Sequence, residues 1–247
     1  VPEQFTMQTQ KDLVSMHPRH GIMNIDVLSF ARLAYRVFEE TGTKQMQVLD
    51  DEGKNLILRK IAGDYENKLT VLKGNIKKLG YISEVKSVIS EFTQYDIGEE
   101  EMDEMLDHLD EDSRLYYKLK DIRLLYEGFQ DYLRERYITK EELLDVLNSQ
   151  VKESELLKNS VVVLDGFTGF TPVQNRLILE LMRCCKEVWV TVTMDERENP
   201  YAYKHPYQLF GLSKQMVTTL VRMAGEDHIE VEEPVCLYGY PVKRFEK

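Results

Sequence analysis

No Cys-x-x-Cys pair occurs in this sequence. Its cysteines are Cys184, Cys185 and Cys236, an odd count with two of them adjacent. This excludes a disulfide framework and leaves no ligand spacing for structural zinc or an iron–sulfur cluster, so a reducing, cytoplasmic compartment fits best. No apolar run reaches the roughly 18 residues that a membrane-spanning helix needs. The opening residues, Val1-Pro2-Glu3-Gln4, lack the basic start and apolar centre of a signal peptide, and the missing Met suggests a piece excised from a longer chain. A positive charge balance is absent too. The formal net charge of −11 argues against a protein that coats nucleic acid indiscriminately, without excluding a local basic track.

The familiar catalytic signatures are also missing. A phosphate-cradling loop needs two glycines at fixed spacing before a Lys and a hydroxyl, so that backbone N–H groups and an ammonium converge on the phosphates. Gly53-Lys54 lacks the upstream glycine and is followed by Asn55, and Gly74-Asn75 lacks the lysine. The chain as written should therefore not hold a nucleotide tightly. Neither a Gly-x-Ser-x-Gly elbow nor a His-Glu-x-x-His helix is present, which removes the usual candidates for nucleophilic and zinc hydrolysis. The acids of Glu99 to Glu104 and Asp110 to Asp112 lack the turn glycine and alternating ligands of a calcium loop and read as a solvated helix face. His17, Arg19 and His20 flank Pro18 with no acid or cysteine at ligand spacing, the pattern of a surface loop.

What is present is a soluble globular composition, 43% hydrophobic and 30% charged, in 247 residues, enough for one large core or two smaller ones. The most informative stretch runs from Val161 to Arg176. Four apolar, mostly β-branched residues end at Asp165, a loop with two glycines follows, and Thr171-Pro172 opens a helix. Thr171 and Gln174 stand at capping-box spacing. The reading is a buried strand with an acid at its carboxyl end. Open α/β sheets keep their ligand crevice there, and in nucleotide hydrolases such an acid holds magnesium. The competing reading is that Asp165 only caps its loop. The next residue is Gly166 rather than the second acid that would prepare an attacking water.

Taken in order, the chain alternates and then changes character. A strand exit at Val1 to Gln4, a helix from Thr6, a strand over Ile22 to Leu28 and a helix capped by Ser29 and ended by Gly42 together make the signature of an α/β sheet. From about Val48 to Ser154 no convincing strand appears, and helical stripes follow one another: Leu56, Ile57, Ile61 and Tyr65; then Ile82, Val85, Ile89 and Phe92; then Met102, Met105 and Leu109. A long stripe from Leu115 to Leu133 and a capping box of Thr139 with Glu142 complete this block. The α/β pattern returns with Val161 to Leu164, a helix over 171–185, a strand over 187–193, a helix over 213–224 and a short strand over 228–232. The expected fold is an α/β sheet domain built from residues 1–47 and 155–247, split by an all-helical insertion over 48–154.

One nucleic-acid candidate emerges. Gln4, Thr6, Phe30, Arg32 and Tyr35 come from the two junctions that follow the first expected strands, and such junctions share one edge of a parallel sheet. Amides and hydroxyls read base edges, aromatics stack on splayed bases, and Arg holds phosphate or guanine. Phe30 and Tyr35 equally suit the core of an amphipathic helix, which on residue physics alone is the preferred reading.

The stretches Val1-Pro2-Glu3-Gln4-Phe5-Thr6, Leu28-Ser29-Phe30-Ala31-Arg32-Leu33-Ala34-Tyr35-Arg36-Val37 and Asp165-Gly166-Phe167-Thr168-Gly169-Phe170-Thr171-Pro172 together resemble AddB, the family that supplies one of the two subunits of the AddAB helicase–nuclease. The resemblance covers essentially the whole chain. It implies that the split sheet is a RecA-like, P-loop NTPase-type domain and that the helical block is its inserted subdomain. In the intact subunit it implies an upstream phosphate loop binding ATP and magnesium, and a downstream nuclease domain with an iron–sulfur cluster, with neither in this fragment. Asp165-Gly166 looks like a degenerate metal-binding Walker B motif. The implied role is scanning single-stranded DNA for the recombination hotspot Chi during double-strand break repair, beside the AddA partner, the A subunit of the helicase–nuclease. Gln4, Thr6, Phe30, Arg32 and Tyr35 fall at the strand-reading positions, and Tyr35 stands where relatives can carry Trp. Phe30 and Tyr35 are then read as stacking residues. Two rival expectations are a non-catalytic scaffold that docks the partner subunit, and an ATPase completed by the upstream loop.

Overall fold

The computed structural model describes residues 1–43, 47–76, 78–134, 137–195 and 197–237. A single 3-10 turn, Glu3–Phe5, leads into α1 (Thr6–Met16), and α2 (Phe30–Thr41) follows after an irregular segment. Then come β1 (Gln47–Val48), α3 (Asp51–Asp64), α4 (Leu79–Gln94), α5 (Glu99–Asp107), α6 (Arg114–Leu133) and β2 (Tyr137–Ile138). The rest is α7 (Glu142–Gln150), α8 (Glu155–Lys158), β3 (Val161–Leu164), α9 (Pro172–Cys184), β4 (Glu187–Val190) and α10 (Gly211–Glu226). No helix among the described residues is long and apolar enough to cross a membrane.

The helix ends follow from local chemistry. Ser29 accepts the Arg32 amide at the head of α2, and Gly42 closes it in the left-handed conformation that glycine adopts without strain. Thr171 and Gln174 exchange hydrogen bonds between side chain and backbone, with Pro172 at the first helical position of α9. Thr139 and Glu142 do the same before α7.

Packing divides into three clusters. Leu49, Ile57, Leu58, Ile82, Ile89, Met102, Leu125 and Phe129 belong to one formed between Leu49 and Leu133, the helical block. Ala34, Val37, Phe38, Leu143, Leu147, Leu177 and Leu181 belong to a second, which joins α2, α7 and α9. Leu164, Ile178, Met216 and Leu220 form a third under β3 and β4. One buried and two exposed polar contacts tie the parts together. The Lys54 ammonium donates to Glu141 Oε2 at 2.7 Å and to Ser90 Oγ at 3.2 Å, and Arg176 of α9 pairs with both Asp96 and Asp145.

β3 and β4 are parallel, with Val161 opposite Glu187 and Leu164 opposite Val190, and α9 is the crossover that parallel strands require. A second parallel pair, β1 with β2, is only two residues long. β1 lies at the start of the block expected to lack strands, and β2 lies inside it, which corrects that expectation.

Three further expectations are corrected. Residues 22–28 and 228–232 are irregular rather than strands, because no ladder partner lies beside them among the described residues. The amino-terminal segment consequently adds no strand to the β3–β4 sheet; the Val1 nitrogen instead donates to the Leu28 carbonyl at 3.1 Å. Nor is β3 buried on both faces. Helices cover one face, while Val161, Val163 and Trp189 remain 50%, 53% and 44% exposed on the other. Residues 44–46 and 238–247, within the expected sheet domain, lie outside the described residues.

Candidate nucleic-acid interface

The carboxyl edge of the β3–β4 sheet is where the sequence motifs meet. The Thr191 amide donates to the Leu164 carbonyl at 3.0 Å, and the Thr191 hydroxyl donates to the Asp165 carboxylate. Gly166 then takes φ +80°, and a Cβ built on it would meet Pro2 Cδ at 3.6 Å, an ordinary contact. Glycine is needed here for its backbone conformation and not for space. An acid at this position, the usual second carboxylate of a hydrolase, would have to adopt a left-handed backbone that such side chains avoid.

Beyond Gly166 the loop folds two phenylalanines onto the head of α2. Phe30 lies 5.5 Å from Phe167 and 6.4 Å from Phe170 between ring centroids, and Phe167 and Phe170 are 5.0 Å apart. The three half-buried rings pin the loop after β3 to the first turn of α2. Phe167 and Phe170 were missed by sequence reasoning. Their signal is a pair of large apolar residues three apart inside a glycine loop that has no helical or strand period.

The expected strand-reading residues divide by placement. Gln4 is exposed in the turn that follows Pro2, the residue lying against Gly166. Thr6 is buried, and its hydroxyl donates to the Glu3 carbonyl at 3.0 Å, which makes it a positioning residue for that turn. Ala34, Val37 and Phe38 face the core from α2. Arg32 and Tyr35, spaced by three, are exposed on its opposite side, with Tyr35 40% accessible, and Arg32 makes no ion pair among the described residues. Arg36 on the same side pairs loosely with Asp26 at 3.9 Å. Phe30 is a half-buried ring of the aromatic cluster, while Tyr35 is outside the core.

This edge does not make a metal site by itself. Magnesium is held by one or two carboxylates together with waters and substrate phosphates. Asp165 is one carboxylate, already engaged by Thr191, and no group of three His, Cys, Asp or Glu side chains that could hold a metal occurs among the described residues. Nor does Cys185 offer a nucleophile. Burial, reinforced by Cys184, pushes the Cys185 thiol up to about 11, so that it stays protonated at neutral pH.

Comparison with known proteins gives the same family. All of residues 1–247 match the family described as ADDB, N-terminal. The chain belongs to that AddB family. It is 45% identical over 95% of its length to the B subunit of the ATP-dependent helicase/deoxyribonuclease of Lachnoclostridium phytofermentans, covering 20% of that protein. Proteins of the same description from Alkaliphilus oremlandii and Clostridium kluyveri are 34% and 36% identical over 99% of the chain, which covers 23% and 21% of them. The chain thus spans about a fifth of the length of these curated AddB relatives. In this chain the Pro2, α2 and Asp165 motifs are not scattered signatures but neighbours in the fold.

Proposed function

We propose that this chain is the strand-contacting, RecA-like region of a cytoplasmic AddB-type helicase–nuclease component that acts in double-strand break repair and homologous recombination. It grips and scans single-stranded DNA for a Chi-type hotspot beside the A subunit, its partner, and it performs no chemistry by itself. One observation supports this reading: Gln4, Arg32 and Tyr35 are exposed, and a half-buried aromatic cluster couples the α2 head, near Arg32 and Tyr35, to the Asp165 loop. An amide, a guanidinium and a ring are the groups that read, hold and stack on an unpaired strand. Gly166 in place of a second acid favours contact over hydrolysis.

The test uses the intact AddB protein with its partner, resecting long duplex DNA. The arginine and tyrosine variants Arg32→Ala and Tyr35→Ala should resect from ends at the normal rate while fragments ending at the hotspot no longer accumulate. Unchanged accumulation would overturn the reading.

A second reading, a scaffold that docks the partner subunit, is favoured by a groove of about 740 Å³ between α4, α5 and α6. Phe92, Met105, Leu115 and Ile122 line it, and Met105 and Leu115 are substantially exposed. Under that reading Leu115→Glu releases the partner in co-purification, whereas retained partner at wild-type yield speaks against it.

A further inference from the structure

The segment joining β4 to α10 starts from the same sheet edge. β4 ends at Val190, opposite Leu164, and Thr191 bonds to both Leu164 and Asp165 before the chain leaves for the head of α10. Met216 and Leu220 of α10 pack beneath Leu164, so the segment returns to the layer under that edge.

Two features of this segment are unlike the rest of the molecule. The first is charge. Acids make up 43 of the 247 residues, yet none occurs from Asn199 to Gly225, where Lys204, His205, Lys214 and Arg222 fall. The second is a rigid frame that presents rings to solvent. Gln208 Oε1 accepts the Lys204 amide at 2.7 Å and the His205 amide at 3.1 Å, and the Gly211 amide donates to the Gln208 carbonyl at 2.8 Å. A Cβ on Gly211 would approach the Pro206 carbonyl oxygen to 2.7 Å, so the frame closes only on glycine. Beneath it the buried Lys214 ammonium is anchored on Glu198.

On this frame Tyr207 is 82% exposed, and the His205 ring stacks on it at 4.9 Å with the planes 5° apart. Tyr201 is exposed nearby in sequence, and Lys204 makes no ion pair among the described residues. A ring held in water by fixed backbone adds little to folding, because its apolar surface is not removed from solvent. It is what a stacking platform for unpaired bases needs: a flat, preorganised face with a cation close in sequence, in a stretch from Asn199 to Gly225 that carries no carboxylate to repel phosphate.

We infer that the loop carrying Tyr201, Lys204, His205 and Tyr207 is a second single-stranded DNA contact, in which a base stacks on the open face of Tyr207 and Lys204 meets the adjoining phosphate. This rests on the reading of the α2 edge as strand-contacting and adds a second grip on the same strand. Leu209 and Leu212 are exposed at the same turn, as a protein contact would also have them, but the acid-free run and the paired rings favour nucleic acid.

The experiment is fluorescence polarisation of the intact AddB protein with its partner, using a labelled oligothymidylate and an abasic strand of equal length. Tyr207→Ala should weaken oligothymidylate binding about tenfold, Tyr207→Trp should restore it, and the abasic strand should bind wild type and Tyr207→Ala alike. Circular dichroism should show each variant folded, since the ring makes no core contact. Wild-type affinity in Tyr207→Ala overturns the inference, and if Arg32→Ala still loses binding, the α2 edge stands alone. Loss in Tyr207→Ala with none in Arg32→Ala keeps this platform and removes the α2 edge. A wild-type protein that binds neither strand overturns both.

Discussion

Asp121 has only 2% of its surface exposed, and its two carboxylate oxygens organise the turn that follows α3. They accept the Thr70 amide at 2.9 and 3.1 Å, the Thr70 hydroxyl at 3.0 Å and the Leu72 amide at 2.8 Å. Asp121→Ala strands two backbone amides without an acceptor and should cost about 3 kcal/mol, read as a lowered urea midpoint. A midpoint equal to wild type would contradict this. Glu141 gives a pH signature instead. Burial alone would raise its carboxyl, but the Lys54 hydrogen bond and charge outweigh it and hold the group below its ordinary value. A group depressed in the folded state contributes stability above its unfolded value, about 4.3, and loses it as pH falls through the folded one. Wild type should therefore lose more stability than Glu141→Gln on acidification below about pH 4. Parallel losses in the two proteins would show that the pair does not couple to folding.

At the scale of elements, the helices and the β3–β4 pair were legible and the other strands were not. The stripe from Leu115 to Leu133 gives α6 almost to the residue, and the two capping boxes mark α7 and α9, because helix hydrogen bonds and caps are local in sequence. A strand exists only beside its ladder partner. Residues 22–28 and 228–232 have suitable residues and no partner among the described residues, while β1 and β2 have partners and are too short for any period to show. The candidate site divides the same way. Gln4, Arg32 and Tyr35 were named from residue type at junctions whose strands the structure lacks among the described residues, while Phe167 and Phe170 gain their role only from folding back onto Phe30, and the Tyr207 loop has no period at all. α2 itself offers a test. Ser29 caps it and is buried, so Ser29→Ala should lower stability by about 1 kcal/mol and Tm by about 2–4 °C. It should also weaken strand binding by loosening the turn that carries Arg32; an unchanged Tm would mean that the cap is not holding that turn.

Over the whole molecule, charge and architecture point the same way. A net charge of −11 is compatible with DNA contact only if cations and rings are gathered locally, and the two proposed contacts offer such groups: Arg32 with Tyr35 on α2, and Lys204 with Tyr207 in the segment after β4. The helical block, with its own core and its acidic α5, stands apart from both in composition. Few phosphate contacts imply a shallow salt dependence, since each neutralised phosphate of a single strand adds only about 0.7 to the slope of log affinity against log salt. The decisive measurement is the affinity of this chain for a labelled single strand across a salt series, wild type against a Gln4→Ala, Arg32→Ala, Tyr35→Ala triple variant. All three side chains are exposed, so the fold should survive. The account predicts binding at least tenfold weaker in the variant, with a smaller salt slope and an unchanged Tm. Equal affinity and equal slope in the two proteins would contradict it.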